Sequence, residues 1–357
     1  MTSTTTAQPT SGSASAPRAS SSRGSAARGS ASAPEQSTRR ILQAVIGTAV
    51  RAPSVHNTQP WTFVTGRSSL DLRADRSRQL AVLDPTGRQL LLSCGAALLN
   101  ARVALAAHEL PAAVSRFPDP ADPDLLARVD IGRGQGRPHP ALARLVPVIT
   151  VRHTNRRAFA DEPVPGSLLA TVRRVVRTEG AVVRTVTGAD RVTVAVLSQQ
   201  ADAAQLLDPA YRAELRTWTT DDPERRDGVP AVAVPRVGAG SGDEVPIRDF
   251  DTRAAGRLPT QTRSTARQCL LLLGTPRDDP ESWLRAGEAL ERMLLEIARH
   301  GFTASPLTQV VEVDSTRAAL RRELDLGFAP HILLRVGRAA PTPGTPRRHV
   351  AEVTAEA

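Results

Sequence analysis

Two stretches carry side chains whose types and spacing could do chemistry. In APSVHNTQPW (52–61), Ser54, Asn57, Thr58 and Gln59 each offer groups that donate and accept hydrogen bonds. His56 does both when neutral. So dense a polar set beside Trp61 fits neither a core helix nor a strand. In RHTNRRAF (152–159), the pattern reads as an extended arm. Alternation along such an arm turns Arg152, Thr154 and Arg156 to one side. A fork of guanidinium donors there suits an anion. No catalytic triad stands out. The seven histidines lack metal-ligand spacing. Cys94 and Cys269 lie far apart without a C-x-x-C, as in a reduced, cytoplasmic protein.

The elements that must position these groups come from a chain of 357 residues, enough for one large domain or two ordinary ones. Hydrophobic residues make up 40% and aromatics only 3%, so the core must be built from Ala, Val and Leu. The formal charge is +10, with Arg as the basic residue throughout. That balance alone is compatible with nucleic acid or an anionic membrane. No basic run with interleaved aromatics and no zinc-finger or RNA-binding signature accompanies it, so neither partner is expected. No apolar stretch is expected to reach the roughly 20 residues of a membrane span.

Residues 1–38 are rich in Ser, Ala and Arg, with no acidic residue before Glu35, and read as a disordered tail. Their composition also suits an organelle transit peptide, but no amphipathic helix can be drawn through them. Helical spacing of Ile41, Val45 and Ile46 follows. WTFVTG and LDLRAD read as a hairpin, and residues 84–110 as a long apolar helix capped by Asp84 or Thr86. After 142 come the arm, a helix ending at Gly180, a strand, and two further helices, the second capped by Asp208. Residues 221–262 are rich in Gly, Pro and Asp and read as a lid or binding loop, with Tyr211, Trp218 and Phe250 as residues that could cover a ligand. A strand, a long helix (279–301), another helix and a last strand close the order.

The two long helices repeat each other. With Gly95 on Gly287, Ala97 matches Ala289, Leu98 matches Leu290, Ala106 matches Ala298 and His108 matches His300. The fold expected is α+β, two halves with their long helices packed together into one pseudo-dimeric body. The halves are 39–141 and 142–357, with the lid inserted in the second. A doubly wound sheet is the alternative, and no Gly-rich turn supports it.

APSVHNTQPW resembles the A-P-S-x-x-N-x-Q-P-W motif of the nitroreductase superfamily. RHTNRRAF looks like that family's R-x-S/T-x-R arm, ASPLTQ (304–309) like its segment along the flavin N5 edge, and TPRR (345–348) like its basic C-terminal clamp. They occur in family order across residues 39–348. Ordinary members carry the arm and the Asn-Gln motif in every subunit; here each half has one of them. That resembles the fused, Acg-like branch.

The resemblance implies one composite FMN site per chain, with NAD(P)H as co-substrate. Arg152, Thr154, Arg156, Arg347 and Arg348 would hold the phosphate and ribityl chain. Pro53, Ser54 and Val55 would line the ring, Asn57 and Gln59 would meet its polar edge, and Thr308 and Gln309 would stand at N5. Arg156 could also sit near the N1/O2 edge. The expected activity is hydride transfer through flavin N5 to a small-molecule acceptor such as a nitro-aromatic or quinone. The alternative is an FMN-storage protein with a closed lid and no turnover. The chain would be a monomeric pseudo-dimer or a homodimer. Trp61 is expected in the core, and His108 and His300 as helix caps.

Overall fold

The computed structural model describes residues 33–132, 139–235, 245–250, 256–258 and 268–356. The disorder expected for residues 1–32 and much of the lid stretch lie outside the described residues.

Helix α1 (Ala33–Ala49) starts inside the stretch read as tail. Its Leu42, Val45, Ile46 and Ala49 form one buried stripe at i, i+3, i+4, i+7. Strands β1 (Trp61–Thr65) and β2 (Ser69–Ala74) make the expected hairpin. Helix α2 (Arg88–Ala107) leads to β3 (Ala112–Arg116) and β4 (Leu125–Ile131). Two short helices, α3 (Pro140–Ala143) and α4 (Val146–Ile149), precede the arm. Then come α5 (Gly166–Thr178), β5 (Val182–Val186), α6 (Ala189–Leu207) and α7 (Pro209–Thr217). The two-residue strands β6 (Thr219–Thr220) and β7 (Val229–Pro230) pair in parallel. The chain ends with β8 (Cys269–Thr275), α8 (Pro280–Arg299), β9 (Thr303–Pro306), α9 (Gln309–Glu312), α10 (Asp314–Glu323), β10 (Ala329–Gly337) and β11 (Thr354–Glu356).

There are two main sheets. One has the order β11-β1-β2-β4-β3, the other β5-β8-β10-β9. All neighbours are antiparallel except β11, which runs parallel to β1. This is the α+β arrangement and not a doubly wound parallel sheet. The chain's last strand crosses back to the sheet of the first half. Val353 is buried in the same cluster as α1 and Trp61. That return brings residues 345–348 beside the opening motif.

Helix α2 is long and apolar enough to cross a bilayer, contrary to the expectation, but it is almost wholly buried inside the fold. Its burial comes from α8. A Cβ on Gly95 would lie 2.0 Å from the Leu284 carbonyl oxygen, and one on Gly287 would lie 2.0 Å from that of Leu92. Only glycine lets the two backbones approach so closely. The helices also end alike. His108 and His300 are the C-caps, donating their N–H groups to Ala104 and Glu296. Glu109 and Gly301 follow in the left-handed region, with φ of 56° and 75°. Both histidines are structural, as expected.

Candidate functional site

The polar motif is a loop packed between α1 and β1. His56, Asn57 and Gln59 have φ of 45°, 56° and 51°, a left-handed backbone that costs side-chain-bearing residues strain. Two hydroxyls hold it. Ser54 Oγ accepts from the Gln59 N–H at 3.0 Å, and Ser93 Oγ on α2 accepts from the Val55 N–H at 3.1 Å. The sharp turning sends His56 and Gln59 to different surroundings.

Pro53, Ser54, Val55 and His56 wall a cavity of about 930 Å³, open solvent at its mouth included. Gln89, Leu92 and Ser93 of α2 and Leu290 and Leu294 of α8 form its floor. Arg152, Thr154 and Arg156 line it from the arm, Thr308 from the segment before α9, and Ile332 and Leu334 from β10. The cavity is therefore assembled from both halves. His56 is 7% exposed, and neither ring nitrogen has a partner among the described residues. Burial, with repulsion from Arg248 and Arg156, lowers its pKa well below the usual histidine value. It is a neutral imidazole facing a cavity.

A smaller cavity of about 440 Å³ adjoins this one. Asn57, Arg347 and Thr345 line it, together with Pro53, Ser54 and the three arm residues. The arm is docked by a bridge between Thr154 and Ala304 and by the Asn155 N–H on the Ala304 carbonyl at 3.0 Å. Asn155 points away, donating to Ala340. His153 reaches the rim as well. Here two cations converge. Arg152 Nη2 and Arg347 Nη2 donate to the same Arg51 carbonyl, at 3.3 and 3.4 Å. Arg347 Nε has no partner among the described residues. Burial, then repulsion from Arg152, brings its pKa down to about 9. A carboxylate, Glu291, meets the Arg152 side of this pair, its Oε1 3.4 Å from Arg152 Nε.

The third wall is the segment 245–250. Phe250 lies edge-on to His56, with ring centroids 5.2 Å apart, and the Arg156 guanidinium stacks over the Phe250 ring, 4.7 Å from its centroid. Arg248 pins the segment by donating to Tyr211 Oη, Glu312 Oε2 and Thr308 Oγ1. Tyr211 and Trp218 do not line the cavity; they pack the lid onto Leu80 and Leu83 of the first half.

Most of the expected residues thus come together: Pro53, Ser54, Val55, Asn57, Arg152, Thr154, Arg156, Thr308 and Arg347. Three stand outside both cavities. Gln59 is wholly buried, donating to the Arg226 carbonyl and accepting from the Arg348 N–H, both at 2.8 Å. It clips lid to tail. Arg348 turns away to the Glu352 carbonyl and Asp75. Gln309 donates to Asp202 at 3.3 Å. Asn57 lines the smaller cavity, yet its amide N–H group donates to Gly228 and Pro346; its Oδ1 is buried without a partner among the described residues. Ser93, Arg248 and Glu291 were missed, while Phe250 was expected as a possible cover and His56 only as a hydrogen-bonding group of the motif. Only His56 stood in a recognised motif.

In the register that pairs Gly95 with Gly287, Leu294 on the cavity floor corresponds to Arg102. Arg102 instead forms a buried network with Glu179 and Glu288, and Arg116 joins it. An ion-pair cluster therefore takes the position that corresponds to Leu294 on the cavity floor. Among the described residues, no group of three His, Cys, Asp or Glu could hold a metal ion.

No family model matches the chain. "Putative NAD(P)H nitroreductase Rv3131" of Mycobacterium tuberculosis is 37% identical over 326 residues, spanning 87% of this chain and 90% of that protein. "Putative NAD(P)H nitroreductase acg" of the same organism is 32% identical over 322 residues, 88% and 96% of the two chains. Among solved structures, the FMN-dependent nitroreductase NfnB from Mycobacterium smegmatis, in complex with NADPH, is 18% identical, covering 60% of this chain and 98% of that one with a TM-score of 0.38. With relatives this similar along nearly their whole length, the chain belongs to the nitroreductase superfamily, in its Acg-like branch.

Proposed function

We propose that this protein is an FMN-dependent oxidoreductase that takes electrons from NAD(P)H and delivers them to a nitro-aromatic, a quinone or a similar small acceptor. The observation that carries this reading is the pair formed by the buried Arg152 and the partly buried Arg347, two guanidinium groups on one carbonyl oxygen at the edge of a cavity with apolar walls. A cation pair so short of carboxylate fits a phosphate dianion. The unpartnered Asn57 Oδ1 and His56 ring nitrogens fit a ring with a polar edge.

Bound flavin supplies hydride acceptance and donation at its N5 position. The chain's own task is then to bind, orient and exclude water. Arg152 and Arg347 hold the phosphate, with Thr154 beside them. Pro53 to Val55 form a stiff wall for the ring, and Leu290, Leu294, Ile332 and Leu334 keep the opposite side dry. Arg156, with its pKa brought to about 10 by burial and then Arg248, remains cationic at neutral pH and favours negative charge on what it faces. No protein nucleophile, acid or base is required.

The storage reading keeps one supporting observation: Phe250 occupies space over the cavity between His56 and Arg156. Quenching of FMN fluorescence by the purified protein tests the shared premise. One FMN per chain is expected; no binding would overturn both readings.

A further inference from the structure

We infer that Glu291 is the positioning residue of the cationic pole: its buried carboxylate holds Arg152 and Arg347 together for a dianion and takes up a proton when the dianion binds. The inference rests on the reading that this pole takes the FMN phosphate. Glu291 is 0% exposed on α8, inside the contact between halves. Its Oε1 lies 3.4 Å from Arg152 Nε, yet neither carboxyl oxygen has a hydrogen bond of good geometry among the described residues. A carboxylate so placed is a loosely satisfied counterion, present to neutralise its neighbours.

The groups around it are few. The arm brings Arg152 and, at the rim, His153. The C-terminal return brings Arg347. Helix α2 brings the amide of Asn100, which acts on the Glu291 carboxyl. Arg51, after α1, acts on Arg347 and His153. On α8 itself, Glu288 is engaged with Arg102 and Arg116, and Glu296 with Arg144, Arg292 and Arg299. Burial pushes the Glu291 carboxyl up to about 7, against the pull of Arg152, Asn100 and Arg347.

Without ligand, one negative charge therefore balances two cations near neutral pH. A phosphate dianion on the same cations replaces that balance and repels the carboxylate, which raises its proton affinity further. The proton comes from solvent and the carboxylate becomes neutral, so Arg152 and Arg347 are released to the phosphate without a buried excess of negative charge.

Two other groups titrate with different signatures. The phosphate's own second ionisation, near pH 6, makes dianion binding release protons, the opposite sign. His153 is held below the usual histidine value by burial, Arg152, Arg347 and Arg51. A dianion would relieve it, so its uptake belongs below about pH 6.5. Arg347, held down to about 9, adds a small uptake of the same sign toward pH 8, so the uptake between pH 7.0 and 7.5 is the part that belongs to Glu291.

The test is calorimetry of FMN binding to the full-length apo-protein at pH 7.0, 7.5 and 8.0, in buffers of different ionisation heat. Wild type should take up protons, approaching about one per FMN at pH 8, with affinity falling up to about tenfold across that unit of pH. E291Q should show no uptake and a flat profile between pH 7.0 and 7.5, while H153Q keeps the wild-type uptake and slope. Riboflavin, which lacks the phosphate, should produce no uptake in wild type. Wild-type binding without proton uptake, or uptake unchanged in E291Q, overturns the inference and leaves the FMN reading standing. Failure of wild type to bind FMN overturns both. If E291Q does not fold, the wild-type uptake and its absence with riboflavin decide the matter.

Discussion

Gly95 and Gly287 touch at the centre of the molecule: a Cβ on either would stand 2.9 Å from the other's Cα. The nearest obstacle is equivalent in both directions, the carbonyl of Leu284 for Gly95 and that of Leu92 for Gly287. Each carbonyl lies three residues before the opposing glycine. Reciprocal contact of this kind is what a two-fold interface produces. Here the two partners are one chain, and the crossing sets the depth of the cavity floor formed by Leu92, Ser93, Leu290 and Leu294.

Gly95→Ala or Gly287→Ala should destabilise the protein by about 3 kcal/mol or more, because a backbone oxygen cannot give way as a side chain can. Gly166→Ala is the control, with nothing within 4 Å of its Cβ position, and should be near neutral. Urea unfolding of the apo-proteins reads both.

Arg152→Ala and Arg347→Ala should each weaken FMN binding by roughly ten- to a hundredfold, as expected for a lost charge-assisted contact of about 1.5–3 kcal/mol. Riboflavin affinity should change much less. Equal losses for both ligands would remove the phosphate from this pole. Arg348→Ala, outside the cavities, should act mainly on stability. Fluorescence titration with the two flavins separates these outcomes.

The N-cap of α2 is Gly87 instead of Asp84 or Thr86, but the Asp84 carboxylate still accepts from the first-turn N–H groups of Gln89 and Leu90 at 3.0 and 2.8 Å. Burial nevertheless pushes it up to about 6. The folded state then binds this proton more tightly than the unfolded chain. Its stabilising contribution is fullest below the ordinary carboxylate value and declines as pH rises toward 6. The stability of wild type relative to Asp84→Asn should therefore fall between pH 4 and 7, by on the order of 3 kcal/mol. Urea midpoints of the two proteins across that range check the sign.

His56→Phe keeps an aromatic ring against Phe250 while removing two buried, unpartnered nitrogens. The apo-protein should gain about 1 kcal/mol of stability, and flavin affinity should drop. If affinity is unchanged, the imidazole does not meet the ligand. Because wild-type His56 is held neutral, binding should show no inflection assignable to it near pH 6.5. Unfolding curves, flavin titrations and histidine NMR provide the readouts.

The helical repeat was legible because close backbone approach demands glycine, and a glycine at each centre sets the register. The arm was legible because Arg and Thr alternate there. The side of the chain that each motif residue faces was not. Gln59 sits two residues from Asn57, but positive φ values turn it into the fold instead of the cavity. Strand β11 has three residues and no periodicity to reveal it. Arg248 and Phe250 come from a stretch without pattern, placed by contacts with Tyr211, Glu312 and His56 that are distant in sequence. Glu291 looked like one more charge on an amphipathic helix. Its burial follows from the packing of two halves, which no local signal carries.

The central claim is that the composite site binds flavin and lets it turn over. The most direct test is anaerobic titration of the FMN-loaded protein with NADPH and then NADH, followed by the visible absorbance of the flavin. The account predicts prompt bleaching with at least one of them, reversed by a nitro-aromatic or a quinone. Flavin that stays oxidised with both, while bound one per chain, would contradict turnover and leave Phe250 as the closed lid of a storage protein.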